Sequence, residues 1–232
     1  MLRRMSARDP EELFGPLNAV ERKFAPRTLY LQGREDILDR GARVAIVGSR
    51  AASPAGLARA RKLAAKLVAN QVVVVSGLAA GIDTAAHTAA IAHGGQTVAV
   101  LGTPLDICYP RTNRDLQQLI GAQHLLVSQF PPGSPVQRRN FPQRNRTMAL
   151  ISDATVIVEA GNTSGSLSQG WEALRLGRAL YITRALAHDP ELTWPAEMLA
   201  YGARILSDDT FDDFLDILPP RAQPMQDAAL PF

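Results

Sequence analysis

The sequence has a single cysteine, Cys108, so neither a disulfide framework nor a thiolate zinc site can be built within one chain. At the end of a strand, a lone cysteine is more often a packing residue than a nucleophile. No apolar run approaches the ~20 residues needed to cross a bilayer. The amino end, MLRRMSARDPEELFG, carries basic residues with no hydrophobic segment behind them, so no membrane association is expected and the expected location is the cytoplasm. GxGxxG is missing, as is GxxxxGK followed by Ser or Thr, which removes the standard dinucleotide site and the Walker phosphate loop. There is no H-E-x-x-H and no pair of histidines at ligand spacing, so no metal and no cofactor are expected. Lysine is scarce: of 25 basic residues only Lys23, Lys62 and Lys66 are lysines, and the rest are arginines. Guanidinium forks suit bidentate phosphate binding, but a GC-rich genome produces the same bias, so position matters more than count.

With 232 residues and 46% hydrophobic content, the chain suits one large α/β domain with a buried core. The formal net charge of +3 is modest, but its distribution is uneven. Acidic residues gather in SDDTFDDFLD from Ser207, whereas QRRNFPQRNR from Gln137 is purely basic, which favours a polyanion-facing surface in the middle of the chain.

Short β-branched runs alternate with helix-period segments, the pattern of a parallel sheet with crossover helices. Strands are expected at 44–47, 72–76, 97–101, 124–128, 155–159 and 179–183. Helices are expected at 56–69, 82–93, 113–120, 144–151 and 167–176. Residues 1–40 read as a short helical lead-in, 41–218 as the domain proper and 219–232 as a flexible tail. The expected fold is α/β, a doubly wound, mostly parallel sheet, whose ligands sit beyond the carboxyl ends of the strands.

Four of those strand ends carry glycine or small hydroxyl residues where a helix begins. VAIVGSR supplies Gly48, Ser49 and Arg50; VVVVSGLAAGID supplies Ser76, Gly77 and Gly81; VLGT supplies Gly102 and Thr103. VIVEAGNTSGS supplies Gly161, Asn162, Thr163, Ser164, Gly165 and Ser166. Helix N-termini carry partial positive charge and glycine permits close approach of a phosphate, so together these loops suggest an anion-binding crevice. Each alone is equally well read as ordinary turn and cap chemistry. Asp83 and His87, four apart on one helix face, could form an acid–base pair, or Asp83 could accept from first-turn N–H groups with His87 a structural hydrogen-bonding residue. In the basic block, Arg138, Arg139, Arg144 and Arg146 surround Asn140, Phe141 and Asn145, combining phosphate forks, amides and one ring, the ingredients of a single-strand platform. A solvated basic loop is the alternative.

VAIVGSR, VVVVSGLAAGIDTAAH, TVAVLGTPLDICYPRTNRDL, SQFPPGSPVQRRNFPQRNRTMALISDA and VIVEAGNTSGSL resemble, in order and spacing, the signature segments of the DprA/Smf family, with similarity running from about Leu29 to Leu218. That resemblance implies an extended Rossmann-like domain that binds single-stranded DNA, forms a homodimer and helps load a RecA-type recombinase in transformation or recombination, and that is not an enzyme. It implies that Arg50, the backbone from Ser76 to Gly81, Arg139, Asn140, Arg144 and Arg146 line the DNA site, with Gly161 to Ser166 offering N–H groups to a phosphate. The chain departs from the family pattern at Ser168, Gln169 and Gly170 and at RALAHDPELTWPAE after Thr183. It is also expected to lack the helical domain and the winged helix that flank the core in many members. Two other readings share the crevice: a nucleotide-sensing module of a stress or defence system, and a lonely-guy-type phosphoribohydrolase. The second needs PGGxGTxxE, where this chain has EAGNTSGSLSQG.

Overall fold

A computed structural model describes residues 5–220. In chain order the elements are β1 (Met5–Arg8), α1 (Pro10–Phe14), α2 (Ala19–Phe24), β2 (Leu29–Gly33), β3 (Arg43–Gly48), α3 (Pro54–Ala69), β4 (Val73–Ser76), α4 (Ile82–Ala92) and β5 (Thr97–Leu101). There follow α5 (Arg114–Gln123), β6 (Leu125–Ser128), α6 (Asn140–Ile151), β7 (Ala154–Glu159), α7 (Ser166–Arg175), β8 (Ala179–Thr183), α8 (Arg184–Ala187), α9 (Trp194–Ala200), β9 (Arg204–Leu206) and α10 (Phe211–Asp216). The strands form one sheet in the order β1-β2-β6-β5-β4-β3-β7-β8-β9. From β6 to β9 every pairing is parallel, and only β2 runs against its neighbours β1 and β6.

Both sheet faces are covered, which is why the strands read as apolar runs rather than as alternating patterns. Along β3, Val44 and Ile46 pack with Ala60, Leu63 and Leu67 of α3 and with the alanines of α4. Ala45 and Val47 point to the opposite cluster, which includes Met148 and Ile151 of α6 and Met198 of α9. α3 starts at Pro54, two residues before the expected 56: Ser53 Oγ accepts from Gly56 N at 3.0 Å and Pro54 occupies the first turn, where its missing N–H is no loss.

Two expectations need correction. The segment before residue 41 holds the helices α1 and α2, but also β1 and β2, which extend the sheet through an antiparallel edge. The helix expected from Arg144 begins at Asn140, because Pro142 falls within its first turn, where proline is tolerated; most of the basic block is therefore helical. The flexible tail expected from residue 219 lies, from 221 on, outside the described residues.

Candidate functional site

Sheet order reverses between β3 and β7, since the chain builds from β3 through β6 on one side and from β7 through β9 on the other. Beyond the carboxyl ends of these two strands, with α6 and the start of α7 alongside, lies a crevice of about 600 Å³, where a doubly wound sheet places its ligand. Of the residues expected at a binding site, Gly48, Ser49, Arg50, Phe141, Arg144, Asn145, Gly161, Thr163, Ser164, Gly165 and Ser166 line it. Ser76, Gly77, Gly81, Arg139, Asn140 and Arg146 do not.

The glycine loops around the crevice turn out to be unequal. At the start of α3, the Glu159 carboxylate accepts from Ser53 N at 2.7 Å, Ser53 Oγ at 2.5 Å and Arg59 Nη2 at 3.3 Å, so this helix N-terminus already holds an anion. In the β4–α4 loop, Leu78 adopts a left-handed φ of 58° and the flanking amides of Gly77 and Ala79 donate to Asp83 Oδ2 at 3.1 and 3.3 Å. Asp83 thus fills a backbone nest of the kind that binds anions, its donors coming from the preceding loop rather than from the first turn of α4. Gly81, at φ 76°, has backbone where a Cβ would stand, the carbonyl of Ser49, and the neighbouring Ile82 N donates to that oxygen at 3.1 Å. Ser76 is buried, its hydroxyl donating to Ile46 O at 2.6 Å. The N-terminus of α7 is different. Its N-cap residue Gly165 has no side chain to cap with, and Ser164 Oγ accepts from Ser166 N only at 3.4 Å; Gly161 and Gly165 are exposed with open space at their Cβ positions, and the partial positive charge of this helix end borders the crevice.

Arg144 is buried beside the crevice. Its Nη1 donates to Gly77 O at 2.6 Å and Val100 O at 2.8 Å, and its Nε to Asn145 Oδ1 at 3.0 Å. Asn145 passes the connection on, donating to Ser168 Oγ at 2.5 Å and Gly165 O at 3.3 Å. A continuous hydrogen-bonded line therefore runs from the β4–α4 loop to the start of α7. Gln169, fully buried, joins it: with its amide oriented to satisfy both ends, it donates to Asn145 O at 2.7 Å and accepts from Thr155 Oγ1 at 3.3 Å. Burial raises the Asp83 pKa, against the opposing effect of the Arg144 cation and the loop amides.

His87 is fully buried, its Nδ1 2.7 Å from Thr97 Oγ1. Because that hydroxyl donates to Val74 O at 2.8 Å, Nδ1 carries the proton and donates to it. Burial, with His124 and Arg144 nearby, depresses the His87 pKa to about 3.

On the rim, the Arg50 guanidinium lies 5.3 Å from the Phe141 ring centroid, and Phe141 in turn lies 5.4 Å from Tyr109, tilted by 54°. Tyr109 is 49% exposed. Sequence reasoning missed it; the available signal was an aromatic beside proline, in YPRTN, in a loop leaving the same sheet edge. Arg138 and Arg139 are exposed at the start of α6, and Asn140 is buried. Arg146 points away: its Nε pairs with Glu172 Oε1 at 3.0 Å and it stacks on Phe24 at 5.6 Å.

The family model for DNA recombination-mediator protein A matches residues 11–218. The chain belongs to that family. It is 44% identical over 166 residues to DNA processing protein DprA of Streptococcus pneumoniae, covering 72% of this chain and 58% of that protein. The structure of DprA from Streptococcus pneumoniae superposes with a TM-score of 0.81 at 33% identity, over 94% of this chain and 76% of that one. DNA processing protein A of Helicobacter pylori, whose structure is described for its single-stranded DNA binding mode, gives 0.78 at 25% identity, over 94% of this chain and 98% of that one. This chain spans between 42% and 65% of the full length of the first three curated relatives.

Proposed function

We propose that this DprA-family domain binds single-stranded DNA in the crevice, acting in recombination or in the uptake of transforming DNA as a homodimer in the cytoplasm that passes its strand to a RecA-type recombinase. The observation that carries this reading is the glycine-started N-terminus of α7 lining the same crevice as Arg50 and Phe141. Such a crevice has a place for a phosphate and another for a base. The H. pylori relative, described as binding single-stranded DNA, supports the same ligand class. The reading is of a binding module rather than an enzyme. Asp83 and His87, which could have formed an acid–base pair, are spent on buried structural hydrogen bonds, and His87 is neutral at working pH.

The test is a titration of single-stranded DNA, duplex DNA and nucleoside monophosphates at two salt concentrations. Binding of single strands above the other two, weakening steeply with salt, is the expected result. Preferential retention of a mononucleotide would favour the nucleotide sensor, and release of free base would favour the phosphoribohydrolase.

A further inference from the structure

Resting on that reading, we infer that the bound strand does not end in the crevice but continues over Tyr109 and along the turn from Tyr109 to Arg114, with Tyr109 as a second base platform and Arg111 as its phosphate contact. Tyr109 is among the few large hydrophobic side chains left exposed among the described residues. It packs on Phe141, so its open face is continuous with the rim of the crevice. The two rings are tilted and too close for a base to slide between them, so a base stacks on the outer face of Tyr109, one step beyond Phe141.

The turn is built to hold that ring still. Asn113 is buried, and its amide donates to Leu78 O and Thr84 Oγ1, both at 2.9 Å. Thr103 Oγ1 donates to Ile107 O at 2.8 Å, and Cys108 Sγ to Pro110 O at 3.2 Å. The turn is thereby pinned to the β4–α4 loop, which itself clasps Arg144. A preordered aromatic costs little to engage, which suits a stacking platform better than a mobile side chain does. Charge agrees with this path: Arg111 and Arg114 are exposed and, among the described residues, make no ion pair. An aromatic followed by unpaired guanidinium groups is the composition of a single-strand track.

The test compares the full chain with Tyr109→Ala, Tyr109→Phe and Arg111→Ala on a dinucleotide and on an oligonucleotide of ~12 nucleotides, with thermal melts showing each variant folded. Tyr109→Ala should weaken the longer strand about tenfold and leave the dinucleotide unchanged, while Tyr109→Phe should bind both like the parent, because the ring and not its hydroxyl is used. Arg111→Ala should flatten the salt dependence of the longer strand by about 0.7 in log–log slope and leave that of the dinucleotide alone. If the parent binds both ligands and Tyr109→Ala changes neither, or weakens both equally, the strand does not follow this turn and the inference falls while the crevice reading stands. If the parent binds neither, both fall.

Discussion

The Arg144 guanidinium donates from one nitrogen to the carbonyl oxygens of both Gly77 and Val100, at 2.6 and 2.8 Å. A cation that sequence reasoning assigned to a phosphate is thus first a clasp between the β4–α4 loop and β5, and its charge opposes the rise that burial gives the Asp83 pKa. Arg144→Ala removes a buried cation and orphans two carbonyls together, a loss of roughly 3–5 kcal/mol. A lysine ammonium can offer one nitrogen to both carbonyls but has no Nε–H for Asn145, so Arg144→Lys should recover only part of it. Chemical denaturation measures the effect, and an Arg144→Ala protein as stable as the parent would show that the clasp carries no weight.

Arg50 and Arg146 separate the arginines that face a ligand from those that do not. Arg50 is exposed on the rim with only the Phe141 ring beneath it, whereas Arg146 is held by Glu172 and Phe24 away from the crevice. Arg50→Ala should flatten the salt dependence of single-strand binding by about 0.7 in log–log slope and leave the melting temperature where it was. Arg146→Ala should leave the slope unchanged and cost at most about 1 kcal/mol of stability. Phe141→Ala should weaken binding by about 1–3 kcal/mol with no change in slope, since no charge is lost. Anisotropy titrations over a salt series distinguish the three; equal slope changes in Arg50→Ala and Arg146→Ala would contradict the geometry.

The two buried ionisable groups of α4 give stability a pH dependence whose directions oppose each other. His87 is held neutral with a pKa of about 3, while in the unfolded chain it titrates at its ordinary 6.5. Below 6.5 the unfolded state takes up a proton that the folded state refuses, so this group lowers stability as pH falls from 6.5 towards 3, by up to about 1.4 kcal/mol per pH unit. Asp83, whose folded pKa lies above 3.8, acts the other way: its contribution is lost as pH rises from 3.8 through the folded value. His87→Gln removes the first effect alone. Its stability should therefore fall less than the parent's between pH 6.5 and 4, whatever its stability at neutral pH, and parallel curves for the two proteins would rule the assignment out.

The interior of the sheet was legible because strands such as VVVV and VIVE, buried on both faces, leave an unbroken apolar run. β1, reading MSAR, escaped notice: an edge strand of four residues, mostly exposed, has no alternation to reveal it. The basic block marked the right neighbourhood without telling its arginines apart. Once Pro142 is placed in a first helical turn, Arg144 and Arg146 stand two residues apart on a helix and so face nearly opposite ways, about 200° round the axis. The filling of two of the four anion-binding loops was not legible for a different reason. Glu159 reaches Ser53 from 106 residues away, a contact that no local pattern encodes. Asp83 lies close in sequence to the amides it accepts from, but its role depends on the left-handed turn at Leu78, a conformation that leucine does not advertise.

The asymmetry among those loops leads to a prediction that separates binding from folding. α7 begins at Gly165, which borders the crevice with no side chain of its own, open space where a Cβ would go and a helical backbone at φ −63° and ψ −19° that any residue can adopt. Aspartate there would stand at the start of the first turn, where its charge complements the helix dipole. Gly165→Asp should therefore leave stability unchanged or raise it by about 0.3–1 kcal/mol. The same carboxylate would occupy the place proposed for the phosphate, as Glu159 does at α3 and Asp83 does beside α4, and would repel the strand. Single-strand affinity should fall at least tenfold at low salt, with the loss shrinking as salt rises and screens the repulsion. Gly165→Asn, a neutral residue of the same shape, should retain most of the parent's affinity. If Gly165→Asp melts no lower than the parent and binds single-stranded DNA equally well, the phosphate does not sit at α7.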